Sequence, residues 1–266
     1  MAYREWGDPA NPRVLLCLHG LTRAGSDFDV VAKAMRESHR VICPDIAGRG
    51  ASDRLRNPGL YGVPHHANDV ATLMAVLGAE TLDVVGTSMG GLIAMVLAGL
   101  PGSPIQRVLV NDIGPEIDPL GLSRIAEYVG KNPRFGTADE GVDYLNVLTK
   151  NFGPHSAEQR DALNRPLIVH DAEGWGLHYD PGLAVSFSTS ASPAATAAMW
   201  HGWESMTARA LVTRGVTSDV LSKHTLNEMV RRGREVRAVE FPDTGHAPAF
   251  LAHSQLQVLR AFFTDP

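Results

Sequence analysis

Cysteine is scarce in this chain: Cys17 and Cys43 are the only two. Both sit inside apolar, strand-like runs and form no CxxC or Cys/His cluster, which excludes a disulfide framework and a cysteine-based metal or redox site. Two buried free thiols are expected instead. Long apolar runs are missing too. No stretch of 18 uncharged apolar residues occurs, so no membrane-spanning helix is expected. The opening MAYREWGDPANPR lacks the charged segment and apolar run of a signal peptide, which makes a cytoplasmic location the expectation. Positive charge is not in excess: the formal net charge is -5 and the pI near 6.1, with no long Lys/Arg block. Nucleic acid and membrane are therefore excluded as partners, leaving a small molecule and a monomer or homodimer. No internal repeat or low-complexity segment is present.

What is there is an ordinary globular composition, 44% hydrophobic and 20% charged over 266 residues, enough to bury a substantial core. Apolar runs alternate with helical patterns: RVLLCLH (13–19), DFDVVAKAMRE (27–37), RVICPD (40–45), HHANDVATLMAVLG (65–78), TLDVVG (81–86), a helix from Gly90, and IQRVLVND (105–112). This rhythm predicts an α/β fold with a mostly parallel, doubly wound sheet. The strands read as continuous apolar runs, as in a sheet covered on both faces. From 114 to 207 the rhythm gives way to amphipathic pieces without a clear strand, predicting an inserted helical cap between core segments 1–113 and 208–266. The rhythm resumes with ARALVTRG (208–215), HTLNEMVRRG (224–233), EVRAVEFPD (235–243) and AFLAHSQLQVLRAFF (249–263). An insertion that leaves and re-enters one sheet is expected to cover its ligand edge.

Gly86-Thr87-Ser88-Met89-Gly90 fits G-x-S-x-G between a predicted strand and a predicted helix, the context in which that pattern carries a nucleophile. The turn lifts the serine hydroxyl clear of the sheet in a strained backbone conformation, and the helix N-terminus behind it favours developing negative charge. A serine is a weak nucleophile at neutral pH, so a general base and an orienting carboxylate are required. Asp219, after the strand at 208–215, and His246, after the strand at 235–243, both fall in loops at carboxyl ends of strands. Asp112 follows the strand at 105–112 and is the alternative acid. Asp243 is close to His246 and is read as a turn or capping residue.

With LLCLHGLTRAGSDF, VICPDIAGRGASD, DVVGTSMGG, RGVTSDVLS and PDTGHAP in place, the chain resembles the α/β-hydrolase fold superfamily over nearly its whole length, in particular bacterial serine-nucleophile carboxylesterases and enol-lactonases. The resemblance implies Ser88 as nucleophile, His246 as general base and then acid, and Asp219 as orienting carboxylate. It also implies an oxyanion hole from the backbone amides of Leu21 and Met89. Asp45, Gly48, Gly50, Ser52 and Asp53 are implied to shape a loop below the site, and His19 to brace one. The chain starts about where the family's second strand runs, so its first strand is expected to be missing.

The expected chemistry is hydrolysis of a small carboxylic ester or lactone through an acyl-enzyme, with no metal or organic cofactor. The serine at 88 argues against a dehalogenase or epoxide hydrolase, which the resemblance would give a carboxylate there. A carbon-carbon hydrolase of the meta-cleavage type is the alternative, disfavoured by Thr87 and Ala247 beside the serine and histidine. A slow-turnover receptor on the same scaffold is a third reading. His65 and His66 could mimic a metal pair, but adjacent helix residues point apart. In the insertion, Tyr128, Trp175, His178, Tyr179, Trp200 and Trp203 are read mainly as its own core. Arg124, Arg134, Arg160 and Arg165 are candidate forks for a substrate carboxylate.

Overall fold

A computed structural model of the chain describes residues 1–187 and 192–265. Five parallel strands come from the apolar runs: β2 (Val14–Leu18), β3 (Arg40–Pro44), β4 (Leu82–Thr87), β5 (Ile105–Asn111) and β9 (Arg209–Gly215), joined at one edge by β10 (Val236–Phe241). At the other edge lies β1 (Tyr3–Trp6), which pairs antiparallel with β3, Tyr3 opposite Pro44 and Trp6 opposite Val41. The described residues thus form a seven-stranded sheet in the order β1-β3-β2-β4-β5-β9-β10. β1 lies about where the resemblance puts the family's second strand, and no strand precedes it among the described residues, in line with the expectation that the family's first strand is missing. It is four residues long with mostly exposed side chains.

Alternation along the strands divides the core into two layers. Leu15, Cys17, Val85, Leu109 and Leu211 face α1 (Asp29–Met35) and α10 (His253–Thr264), while Leu16, Leu18, Val84, Val108 and Val212 face α2 (Val63–Leu77) and α3 (Met89–Ala98). Each fully buried aliphatic side chain contributes about 1.5–3 kcal/mol, and β2 is buried at all five positions. Cys17 and Cys43 are free thiols within the first layer. Helix ends follow local chemistry: α2 has a proline in its first turn and stops at Gly78 in the left-handed conformation (φ 64°), which glycine adopts without steric cost.

Between β5 and β9 lie α4 (Pro119–Ala126), β6 (Arg134–Phe135), α5 (Ala138–Leu148), α6 (Ala157–Asn164), β7 (Ile168–Asp171), β8 (Gly174–Leu177), α7 (Leu183–Phe187) and α8 (Pro193–Ser205). The three strands form a small antiparallel sheet in the order β6-β8-β7, where the sequence suggested helices alone. At two to four residues each, they are too short for a period of two to register. α8 packs on α3, and its Trp203 donates from Nε1 to the Met229 carbonyl (2.9 Å) of α9 (Lys223–Arg232).

Polar contacts moor the inserted segment to the loops above the sheet. Arg23 donates to the Asn164 side chain and to the Leu163 carbonyl, each at 2.9 Å. The Asp180 amide donates to the Gly48 carbonyl (2.8 Å), and the Tyr61 hydroxyl to Asp180 Oδ2 (2.6 Å). His178 accepts from the Gly50 amide at Nδ1 (2.7 Å) and faces the Thr22 carbonyl with Nε2 (3.3 Å). This arrangement requires a neutral ring. Burial, reinforced by Arg23 and Arg49, pushes the His178 pKa down to about 3; burial and Arg49 do the same to His66. In the unfolded chain a histidine titrates near 6.5, so between about 6.5 and about 3 the unfolded state binds protons that the native state refuses. Stability is therefore lost as pH falls through that window. The urea midpoint should decline from pH 7 to pH 4, and less steeply in His178→Gln; equal slopes in the two proteins would contradict this linkage.

Candidate active site

β4 ends at Thr87, and α3 begins at Met89. The single residue between them, Ser88, has φ 53° and ψ -118°, a conformation that non-glycine residues rarely adopt. Its neighbours make the turn possible. A Cβ on Gly86 would lie 2.3 Å from the Gly90 carbonyl oxygen, and one on Gly90 2.0 Å from that of Leu18, so strand and helix approach this closely only because both positions are glycine. β5 holds the turn in place: the Ser88 amide donates to the Asn111 carbonyl (3.0 Å), and Asn111 Nδ2 donates to Thr87 Oγ1 (3.1 Å) and the Pro248 carbonyl (2.7 Å).

His246 Nε2 lies 2.9 Å from Ser88 Oγ, and His246 Nδ1 lies 2.8 Å from Asp112 Oδ2. A carboxylate only accepts, so Nδ1 carries the proton and Nε2 is free to accept from the serine hydroxyl. Asp112 is fully buried, as is most of the His246 ring. Oδ1 of Asp112 accepts from the Gly215 amide (2.8 Å), and Oδ2 also accepts from the Ser218 hydroxyl (2.6 Å). The backbone of Asp112, at φ 57°, donates its amide to the Thr213 carbonyl (2.8 Å).

The sequence-based preference for Asp219 as the histidine's partner is corrected by this geometry. Asp219 turns away from the histidine and grips Arg124 of α4 with both oxygens, Nε to Oδ2 at 2.5 Å and Nη2 to Oδ1 at 2.9 Å. That pairing holds its carboxyl below the usual carboxylate range. The loop after β9 does reach the triad geometry, but through Ser218, which the sequence reading passed over. Asp112 directly follows the last residue of β5, whereas Asp219 lies several residues beyond the end of β9; closeness to the strand end was the one available signal. Asp243 stands in an exposed turn at φ 52°.

The loop after β2 lies across from the serine. A Cβ on Gly20 would be 3.7 Å from Ser88 Cβ, which brings the Leu21 segment to the same place as Met89, the first residue of α3, whose amide no preceding helical turn can accept. His19 braces this loop: Nε2 accepts from the Ile46 amide (2.9 Å) and Nδ1 faces the Gly20 carbonyl (2.7 Å), with burial holding the ring neutral. Asp45 receives the Gly25 and Ala51 amides (2.8 and 2.9 Å), and the Gly48 amide donates to the Asp53 carbonyl (2.8 Å). Sequence reasoning missed Arg49. Fully buried, it donates to the Leu21 carbonyl (2.8 Å) and the Ala47 carbonyl (2.7 Å), approaches His66 Nε2 (3.1 Å), and lies 3.3 Å from Met89 Sδ. One guanidinium thus ties together the two residues expected to line an oxyanion hole. Burial pulls its pKa down to about 9, with Tyr61 and Asp180 opposing, so it remains a cation at neutral pH.

A cavity of about 290 Å³ opens beside His246, walled by Tyr128, Tyr144, Val147 and Leu148, with Arg124, Lys131 and Lys150 as cations and Glu127 as the opposing charge. Of the four candidate arginines only Arg124 lines it. Arg134 pairs with Asp171 and Glu173, Arg165 with Asp139 and Asp161, and Arg160 bonds the His155 carbonyl. Of the candidate aromatics only Tyr128 does so; Trp175 meets the His170 ring edge to face, Arg232 lies over the Trp200 ring, and Tyr179 donates to the Lys131 carbonyl. His66 is buried against Arg49 while His65 is exposed, and no group of metal-ligating side chains occurs among the described residues. None of their helices is long and apolar enough to cross a membrane.

Comparison with known proteins agrees with this architecture. The family model described as the alpha/beta hydrolase fold matches residues 13–166. A 3-hydroxybutyrate-oligomer hydrolase from Cupriavidus necator is 50% identical, the match covering 99% of this chain and 92% of that protein. A bifunctional esterase/perhydrolase from Acinetobacter calcoaceticus is 30% identical over 46% of each chain. The crystal structure of an alpha/beta hydrolase from Novosphingobium aromaticivorans superposes with a TM-score of 0.88 at 33% identity, covering 98% of this chain and 92% of that one.

Replacing Arg49 by Gln should leave buried acceptors at Leu21 and Ala47 unpaired, at about 1–3 kcal/mol for each such group. A lower urea midpoint together with slower turnover on any ester is expected; a variant with wild-type midpoint and rate would show that the guanidinium braces nothing.

Proposed function

Starting from the premise that this chain belongs to the α/β-hydrolase fold family, we propose that it is a serine hydrolase cleaving carboxylic esters of short hydroxy-acid oligomers. The carrying observation is the unbroken hydrogen-bonded line from Ser88 through His246 to Asp112 beside a cavity. The full-length similarity to a 3-hydroxybutyrate-oligomer hydrolase supports the choice of substrate.

In this reading the Ser88 hydroxyl attacks the ester carbonyl carbon while its proton passes to His246 Nε2. Negative charge gathers on the former carbonyl oxygen, which the Leu21 and Met89 amides receive with help from the N-terminal end of α3. Collapse of the tetrahedral intermediate breaks the bond to the leaving oxygen. His246 returns its proton there, releasing an alcohol and leaving Ser88 acylated. Water repeats the sequence in reverse, its proton going to His246, and the acid is released. Asp112 holds the ring in the tautomer that keeps Nε2 basic and stabilises the imidazolium formed in each transition state. Gly215 and Ser218 fix that carboxylate so that it does not swing out of line.

Hydrolysis of the linear 3-hydroxybutyrate dimer should vanish in Ser88→Ala, with the far-ultraviolet circular dichroism preserved. Asp112→Asn should lower kcat by about 10⁴, as loss of the orienting carboxylate does in serine hydrolases, and Asp219→Asn by much less. The reverse ranking would return the triad acid to β9.

A further inference from the structure

Asp219, in the loop after β9, is spent on Arg124. We propose that the Asp219-anchored Arg124, with Lys131 and Lys150, forms a subsite for the free carboxylate of an acidic ester, making the protein selective for oligomers with an ionised acid end. This rests on the ester-hydrolase reading and specifies its substrate class.

Geometry carries the argument. All three cations wall the cavity that His246 also lines, and Nε2 of the same ring faces Ser88 Oγ, so a substrate reaching from the serine past the histidine meets them. In a 3-hydroxybutyrate dimer the free carboxylate belongs to the leaving alcohol and is separated from the ester oxygen by only two carbons. A substrate that puts its ester oxygen at His246 therefore puts its carboxylate in the same cavity.

Charge points the same way. The chain as a whole carries -5, whereas the cavity wall presents three cations, opposed by Glu127 in the wall and by Asp219 behind Arg124. Lys131 and Lys150 pair with no carboxylate among the described residues. Asp219 uses Nε and Nη2 of Arg124, leaving Nη1 for another acceptor, with the Tyr128 hydroxyl beside the same guanidinium. A guanidinium held by a carboxylate behind it is pre-oriented, so less conformational freedom is lost when a second carboxylate arrives. Tyr128, Tyr144, Val147 and Leu148 supply apolar wall for the methyl-bearing backbone of the oligomer.

The test compares kcat/KM for the linear 3-hydroxybutyrate dimer as free acid and as its terminal primary amide, which keeps the scissile ester and removes the charge. Wild type should prefer the acid by about tenfold or more, mainly through KM, and the preference should shrink with added salt. In Arg124→Gln, and separately in Lys131→Gln/Lys150→Gln, which keeps Asp219 paired with Arg124, the ratio of acid to amide should fall toward one. Equal use of acid and amide by the wild type, or a ratio unmoved in both variants, would overturn the subsite while leaving the ester-hydrolase reading standing. If neither compound nor p-nitrophenyl acetate were hydrolysed, that reading would fall and the subsite with it.

Discussion

The hydrogen bond between His246 Nδ1 and Asp112 Oδ2 is the contact around which the rest of the site is arranged. It fixes which ring nitrogen is basic, and so decides whether Ser88 faces an acceptor. Each of its ends is set by something else. Asp112 leaves β5 in the left-handed region and is clamped by a backbone amide and a hydroxyl from the loop after β9. The His246 loop is pinned by the Gly245 amide donating to the Asn151 carbonyl (2.6 Å) and by Thr217 bonding the Thr244 carbonyl. Three strand ends, β4, β5 and β10, deliver the three side chains, and β9 supplies the brace.

Much of this is legible in the sequence. The parallel strands are apolar runs because both faces of the sheet are covered, and G-x-S-x-G announces a turn whose two glycines prove to be contact points between strand and helix. What failed did so for identifiable reasons. The small sheet of the insertion has strands too short to show a period. Asp112 and Asp219 both follow parallel strands, and only the partner of each separates them: Arg124, distant in sequence, captures Asp219, and no pattern local to either aspartate records that capture. Arg49 was invisible for the same reason, since a lone arginine in a Gly-rich loop reads as solvated until the fold buries it.

That burial has a consequence for how the parts work together. A guanidinium in the interior costs several kcal/mol of lost hydration unless its donors are satisfied, and Arg49 meets the requirement with carbonyls and a histidine rather than with a direct carboxylate partner. Its nearest compensation is Tyr61, over whose ring it lies at 5.5 Å, and beyond it Asp180 of the inserted segment. The segment between β5 and β9 and the loop that faces Ser88 are thereby parts of one polar network. Arg124 and Asp219 make a second link from the same segment to the loop after β9, next to Ser218 in sequence. Walls of the cavity and orientation of the Ser88, His246 and Asp112 side chains are thus coupled through ordinary hydrogen bonds and ion pairs.

The most direct test is proton NMR of the protein labelled with nitrogen-15 in its histidines, observing the His246 Nδ1 proton. A hydrogen bond to a buried carboxylate should give a low-field resonance that is protected from solvent exchange, survives in Asp219→Asn and is lost in Asp112→Asn. A resonance that persists without the Asp112 carboxylate, or disappears with Asp219→Asn, would contradict the assignment of Asp112 as the residue that orients the base.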